Sequence, residues 1–207
     1  MRRYSYLTAV FLFAALALTA GSAPAEDQPV FPVEQLKEGG YVVYFRHAKR
    51  DPVPSTARFY QIDSRNSCVS GGSLNPQGRD ESRTIKRKME ELALPVGDVY
   101  ASPTCRTKQM AKMMFGKDFL VTKGLAPAWI KKEKDKNHYY GELISLLKKP
   151  VETGKNRFLI SHGGVLNEKT INMKLTLQQA DAAVFKPQPD SPEGFTFLGI
   201  IPYNAWK

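Results

Sequence analysis

Five large apolar residues stand side by side at 41–45, which reads Tyr-Val-Val-Tyr-Phe with no polar residue between them. An uninterrupted run of this kind is typical of a strand that is covered on both faces, as in a parallel sheet. A second run, Phe158, Leu159 and Ile160, lies in the segment 157–166. The pattern predicts two buried strands. Weaker runs predict further strands at 97–102, 118–122, 182–187 and 195–201, the last a candidate for antiparallel pairing.

Segments with the apolar spacing of helices separate these strands. The first predicted helix has Asn75 as its N-cap and Pro76 as its first residue. One face of it holds Gly78, Ser82, Ile85, Met89 and Leu92. A later helix is marked by Tyr140, Leu143, Ile144 and Leu147.

A further helix is predicted directly after the strand at 97–102. Ser102 would be its N-cap, Pro103 its first residue and Gly116 its end. The alternation of strands and helices along the chain indicates an α/β protein, namely a three-layer α/β/α sandwich with a mostly parallel central sheet.

Three predicted strands end in polar residues. Arg46 and His47 follow the first strand, Ser102 and Arg106 follow the strand at 97–102, and His162 follows the third. The ligand crevice of such a sheet lies beyond the carboxyl ends of its strands. These side chains are therefore expected to meet at one site.

The first 25 residues have the pattern of a signal peptide. Arg2 and Arg3 precede an apolar stretch at 7–20, and small residues at 23–25 predict cleavage before Glu26. The mature chain would be one domain, 26–207, in the periplasm or secreted, with no membrane span. An uncleaved leader that acts as an anchor is the alternative.

The formal charge is +10, and +8 without Arg2 and Arg3, which favours an anionic partner. Phosphate esters, anionic glycans, nucleic acid and lipid headgroups all fit that balance. A nucleic-acid partner is not expected, because the chain has no nucleic-acid-binding motif and no platform of alternating aromatic and basic residues. The oligomeric state is left open.

The chain has two cysteines, Cys68 and Cys105. An exported protein favours a disulfide between them. The alternative is a reactive thiol, but the phosphatase spacing of Cys followed six positions later by Arg fails, since Leu74 and Ala111 occupy those positions.

Two arginines at strand ends suggest an anion site. Arg106 lies in the first turn of its helix, where the helix dipole disfavours a cation unless an anion lies in front. Together with Arg46 it could bind phosphoryl oxygens. The chain has only three histidines, of which His138 is in a hydrophilic run, and it lacks HExxH or cysteine-rich spacing. Neither a metal nor a cofactor is therefore expected.

These residues resemble the histidine phosphatase, or phosphoglycerate mutase-like, superfamily. "FRHAK" is similar to its Arg-His-Gly/Ala motif, and "LNPQGRDES" to its Leu-x-x-x-Gly-x-x-x-Ala helix start, with Ser82 for Ala. "VYASPTCRTKQMA" resembles Ser-Pro-x-x-Arg-x-x-x-Thr-Ala, with Met110 for Thr, and "FLISHGGVL" resembles the second-histidine motif.

The resemblance implies a metal-independent phosphomonoesterase of phosphoglycerate mutase-like fold. His47 would be the nucleophile that forms a phosphohistidine, while Arg46, Arg106 and His162 would bind the phosphate oxygens. The substrate would be a small-molecule or glycan phosphate. The periplasmic lipopolysaccharide core heptose-phosphate phosphatases are the most similar subgroup, and small phosphohistidine phosphatases come next.

Two departures from the family pattern leave an alternative open. The acid that protonates the leaving group is replaced by Pro127, with Glu133, Asp135 and Glu142 as substitutes. The mutase pattern Glu-x-x-x-Asn after the first histidine is also missing. A non-catalytic phosphate-binding module on the same fold is the alternative that this loss favours.

Overall fold

The computed structural model describes residues 28–51, 72–116, 118–127 and 136–207. Its six strands are β1 (Val42–Arg46), β2 (Val96–Ala101), β3 (Leu120–Val121), β4 (Asn156–Ser161), β5 (Ala182–Pro187) and β6 (Phe195–Ile201). The α-helices among the described residues are α1 (Pro76–Glu91), α2 (Cys105–Phe115), α3 (Lys136–Lys148) and α4 (Glu168–Ile171). No described helix is long and apolar enough to cross a membrane.

The strands form one sheet in the order β3-β2-β4-β1-β5-β6. The pairs β1–β4, β2–β4 and β2–β3 are parallel, whereas β5 runs antiparallel to β1 and β6 antiparallel to β5. The mostly parallel sheet of the sequence prediction is confirmed. Antiparallel pairing, expected of the last strand alone, begins one strand earlier: β5 runs opposite to β1, and β6, antiparallel to β5, runs in the direction of β1 again.

Two apolar cores explain why β1 and β4 read as continuous apolar runs. Val43 and Phe45 face a core formed with α1, α2 and the C-terminal turn. Val42 and Tyr44 face the opposite core, which includes Leu143 and other residues of α3 and α4. Burial on both faces removes the need for polar positions in these strands. The α/β/α sandwich is confirmed.

Local signals place most helix ends correctly. Asn75 is the N-cap of α1 and accepts a hydrogen bond from Gly78 N–H at 2.8 Å. Gly116 ends α2 with a positive φ of 81°. The predicted N-cap of α2 is wrong, because the helix begins at Cys105 and its N-cap is Thr104. The hydroxyl of Ser102 lies instead against the ring of His162.

Candidate active site

The carboxyl ends of β1, β4 and β2 are neighbours in the sheet, and the predicted residues meet there. The ring centroids of His47 and His162 are 5.3 Å apart. Arg106 Nη2 lies 3.0 Å from His162 Nδ1. The side chain of Arg46 packs beside Gly163, where an added Cβ would lie 3.1 Å from Arg46 Cδ. The predicted convergence of these strand ends is thus what the geometry shows.

His47 is held as a neutral ring in one tautomer. Its Nδ1 lies 2.8 Å from Ala48 O, and a carbonyl only accepts, so Nδ1 carries the proton. Burial, followed by the charge of Arg106, lowers the pKa of His47 to about 3. No described hydrogen bond engages Nε2. At neutral pH this nitrogen therefore has a free lone pair.

The backbone of 47–49 is hydrogen-bonded at every polar atom. His47 N–H donates to Ser161 O, and His47 O accepts from Ala180 N–H. Ala48 N–H donates to Met110 Sδ, and Ala48 O accepts from His47 Nδ1–H. Lys49 N–H donates to Glu81 Oε2, and Lys49 O accepts from Asn75 N–H. Met110, which stands in place of the family's Thr, is fully buried and accepts one of these hydrogen bonds. The loop that carries His47 is thereby fixed from several elements.

His162 has the opposite tautomer. Arginine only donates, so Nδ1 accepts from Arg106 and the proton resides on Nε2, which lies 2.9 Å from Ser102 Oγ. Thr104 Oγ1 is 3.5 Å from the same nitrogen. Burial, with the nearby charge of Arg106, lowers the pKa of His162 well below its usual value. The hydroxyl of Ser102 therefore orients the second histidine, which explains why it does not cap α2.

Arg106 is a buried cation with unused hydrogen-bonding capacity. It is 8% exposed, and its buried Nε–H has no partner among the described residues. Burial, then the charges of Arg50 and Arg46, lowers its pKa to about 10, so it remains charged at neutral pH. A buried charged donor without an acceptor is costly unless an anion binds there.

Arg46 is the second guanidinium of the site. Its Nη1 donates to Leu177 O at 2.6 Å. Burial lowers its pKa, and Asp181 opposes that shift. The two carboxylate oxygens of Asp181 accept from the backbone N–H groups of Gln178 and Tyr203. The described hydrogen bonds of His47, His162, Arg46 and Arg106 do not include a carboxylate, so the cationic charge there remains available to a ligand.

Arg50 is a third cation that the sequence analysis did not assign. It is partly buried, and its charge contributes to lowering the pKa of His47, His162, Arg46 and Arg106. An isolated backbone bridge to Leu74 holds its position. The signal available in the sequence was its place three residues after His47, in a crowded run of cations.

The candidates for a leaving-group acid receive little support. Glu142 Oε2 accepts from Thr122 Oγ1 and from Gly124 N–H, both at 2.7 Å, so this carboxylate fixes the turn at 122–125. Pro127, at the family's position for the acid, is buried. Glu133 and Asp135 lie outside the described residues.

Two further predictions depend on positions that the structure does not describe. Cys105 is buried, at 7% exposed, but Cys68 lies outside the described residues, so the disulfide stays a prediction. The side chain of His138 is likewise outside them. Across the described ranges, no three His, Cys, Asp or Glu side chains are grouped as a metal site would require.

Acid is expected to destabilise the fold between about pH 6.5 and 3. The folded His47, beside Arg46, Arg50 and Arg106, stays neutral to about pH 3, whereas the unfolded ring binds a proton below 6.5. The unfolded state therefore holds more protons in this window, and the free energy of unfolding falls as pH falls. One such ring contributes about 1.4 kcal/mol per pH unit. The same pKa direction at His162 adds to this slope.

Urea unfolding of the wild type and of His47→Gln at pH 7, 5.5 and 4.5 measures that slope. The difference between the two proteins isolates His47 from the carboxylates, which titrate in both. The wild type should lose stability more steeply than the variant. Parallel curves for the two proteins would contradict a neutral buried ring.

Comparisons with known proteins agree with this architecture. No protein-family model and no curated protein matches the chain. The protein histidine phosphatase SixA complexed with tungstate matches with a TM-score of 0.57 at 16% identity, over 81% of this chain and 99% of that one.

Two more solved structures are similar. An open reading frame product of Mycobacterium tuberculosis matches with a TM-score of 0.54 at 12% identity, over 79% of this chain and 98% of that one. Phosphoserine phosphatase of Entamoeba histolytica, in complex with 3-phosphoglyceric acid, matches with a TM-score of 0.51 at 12% identity, over 81% and 99%. At these identities a match shows the fold alone. The chain therefore has the phosphoglycerate mutase-like fold of these solved structures.

Proposed function

We propose that the protein is a metal-independent phosphomonoesterase that forms a phosphohistidine on His47. The observation that carries this proposal is a neutral, buried imidazole whose Nε2 has no hydrogen-bond partner among the described residues, close to the charges of Arg106, Arg46 and Arg50. Arg106 contributes a buried Nε–H that has no partner among the described residues, and its Nη2 lies 3.0 Å from His162 Nδ1. A site built only to bind an anion has no use for a nucleophile held in its reactive tautomer.

The geometry supports a two-step reaction. In the first step, Nε2 of His47 forms a bond to phosphorus as the phosphorus–oxygen bond to the alcohol breaks. In the second, water attacks phosphorus, the nitrogen–phosphorus bond breaks, and inorganic phosphate leaves with the ring neutral again. Arg46, Arg50 and Arg106 would stabilise the charge on the equatorial oxygens, which is the main contribution in phosphoryl transfer.

The leaving group would be limited by the lack of a general acid among the residues that the structure describes. Pro127 offers no proton, and Glu142 is committed to the turn at 122–125. Without a general acid, alkyl phosphates should react slowly. Aryl phosphates and phosphohistidine should still react, because the phenolate and the imidazole can leave without a proton from the enzyme. The same observation favours the second candidate function, a non-catalytic phosphate-binding module.

The sequence supports a location and a substrate class. The leader at 1–25 supports export, with 26–207 as the mature protein in the periplasm or secreted. Export and the resemblance of "FRHAK" to the periplasmic heptose-phosphate phosphatases support a phosphorylated sugar of the cell envelope. The basic charge of the chain fits such an anionic glycan.

Hydrolysis of an aryl phosphate by the purified chain, with and without a chelator, tests the function. We expect turnover that the chelator does not reduce, and an acid-labile phosphate on the protein after rapid quenching. Absence of turnover together with tight binding of inorganic phosphate would favour the binding module. Loss of turnover in chelator would refute the metal-independent mechanism.

A further inference from the structure

A single peptide group joins the nucleophile to a buried carboxylate. Ala48 O and Lys49 N belong to the same peptide unit, which is trans, so its C=O and N–H point in opposite directions. On one side, Ala48 O accepts from His47 Nδ1 at 2.8 Å. On the other, Lys49 N–H donates to Glu81 Oε2, also at 2.8 Å.

Glu81 is an unusual residue for its place in helix α1. It lies on the buried side of the helix and is only 7% exposed. Its Oε2 accepts from Lys49 N–H and its Oε1 accepts from Gln77 Nε2 at 3.2 Å. Acceptance at both oxygens is the pattern of an ionised carboxylate. None of the described ion pairs involves Glu81, so its charge acts on neutral amide donors.

The surrounding helix start is fitted closely to this peptide. A Cβ at Gly78 would lie 2.8 Å from Lys49 N, in this peptide, and 1.9 Å from Lys49 O, in the following one, so only glycine permits the approach of the helix to the loop. Asn75 N–H donates to that same oxygen at 3.2 Å. Glu81 therefore faces a peptide that has little freedom to turn.

A carboxylate at the N–H end of a peptide polarises the whole unit. Hydrogen bonds in a chain strengthen one another, and bonds to a charged acceptor are about twice as strong as neutral ones. The Ala48 carbonyl oxygen becomes a stronger acceptor for the proton on His47 Nδ1. Retention of that proton on Nδ1 leaves Nε2 as the nitrogen with the lone pair.

We propose that Glu81 is a positioning residue that fixes the tautomer of His47 through the Ala48–Lys49 peptide. The consequence for chemistry rests on the proposed function, since it assumes that Nε2 attacks phosphorus. The tautomer itself can be observed without any reaction. Loss of a hydrogen-bond partner that orients a metal-ligating histidine typically costs about 10-fold to 100-fold in activity, and we expect an effect of the same order here.

Nitrogen NMR of the histidine rings tests the proposal directly. Long-range proton–nitrogen correlation spectra at neutral pH distinguish the two tautomers, and His47→Asn and His138→Gln variants assign the three rings. We expect His47 of the wild type to carry its proton on Nδ1. In Glu81→Gln and Glu81→Ala, a substantial population with the proton on Nε2 should appear. In the same two variants, kcat for an aryl phosphate should fall about 10-fold with little change in KM.

The matched control is Asp80→Asn, which removes a neighbouring carboxylate whose contact is to exposed Arg83. It should leave both the spectrum and kcat unchanged. A wild-type His47 with its proton on Nε2 would overturn the proposal even if no Glu81 variant folds. An unchanged His47 spectrum in folded Glu81→Gln would also overturn it, whatever happens to kcat. If the wild type has no turnover but the His47 tautomer still shifts in the Glu81 variants, the positioning role is sustained and the phosphatase is refuted.

Discussion

Replacement of His47 by alanine is expected to reduce turnover of an aryl phosphate by about 10⁴-fold or more, because loss of a covalent nucleophile leaves only binding and charge stabilisation. The remaining cations Arg46, Arg106 and Arg50 should still bind inorganic phosphate. The acid-labile phosphate of the quenched wild type should be absent from the variant. Steady-state kinetics and phosphate binding, measured on the same preparations, separate loss of chemistry from loss of the pocket.

The matched control for His47→Ala is His138→Ala. Of the three histidines in the sequence, His138 is the one that does not follow a strand of the site. This control should retain wild-type turnover. Turnover that survives in His47→Ala would refute the mechanism, because another group would then be the nucleophile. Turnover that falls equally in both variants would point to a general effect of histidine loss on folding.

Replacement of Arg106 by alanine is expected to lower kcat by about 10²- to 10³-fold, the usual effect of removing one preorganised donor to a developing anion. Arg106 supplies the buried Nε–H that has no partner among the described residues, and it holds His162 through Nδ1. Arg106→Lys keeps the charge but lacks the planar fork, so it should recover only part of the loss.

Measurement of kcat, KM and the dissociation constant of tungstate for both Arg106 variants checks this prediction. Tungstate affinity should fall with kcat, because the same donors contact either oxyanion. Lys112→Ala, an exposed cation further along α2, is the control and should match the wild type. Full activity in Arg106→Ala would mean that the phosphate lies elsewhere.

The positions of the four main site residues could be predicted from the sequence because the strand signal and the chemical signal coincide. His47 and His162 each follow an apolar run that fills both cores, so the strand end and the direction of the sheet place them together. Arg106 is placed by the helix start that follows β2. The fold class followed from the same alternation of buried strands and amphipathic helices.

For other residues of the site, the structural signal and the chemical signal do not fall at the same position of the sequence. Ser102 beside Pro103 has the local signature of an N-cap, and its tertiary contact with His162 overrides that signature. Glu81 lies on the buried side of α1, but apolar periodicity does not predict burial for a charged residue. Arg50 is one cation among several, and its position depends on the backbone bridge to Leu74.

The order of the strands has a consequence for how the protein is made. β1 pairs with β4 and β5, and Val42 and its partner Arg157 are separated by more than a hundred positions. A chain emerging from the ribosome holds β1 long before either neighbour exists, so its apolar run is exposed until then. Contacts between such distant residues also slow folding. We therefore expect the pocket to be among the last features to form, and every nascent or truncated chain that ends before β4 to lack catalytic activity.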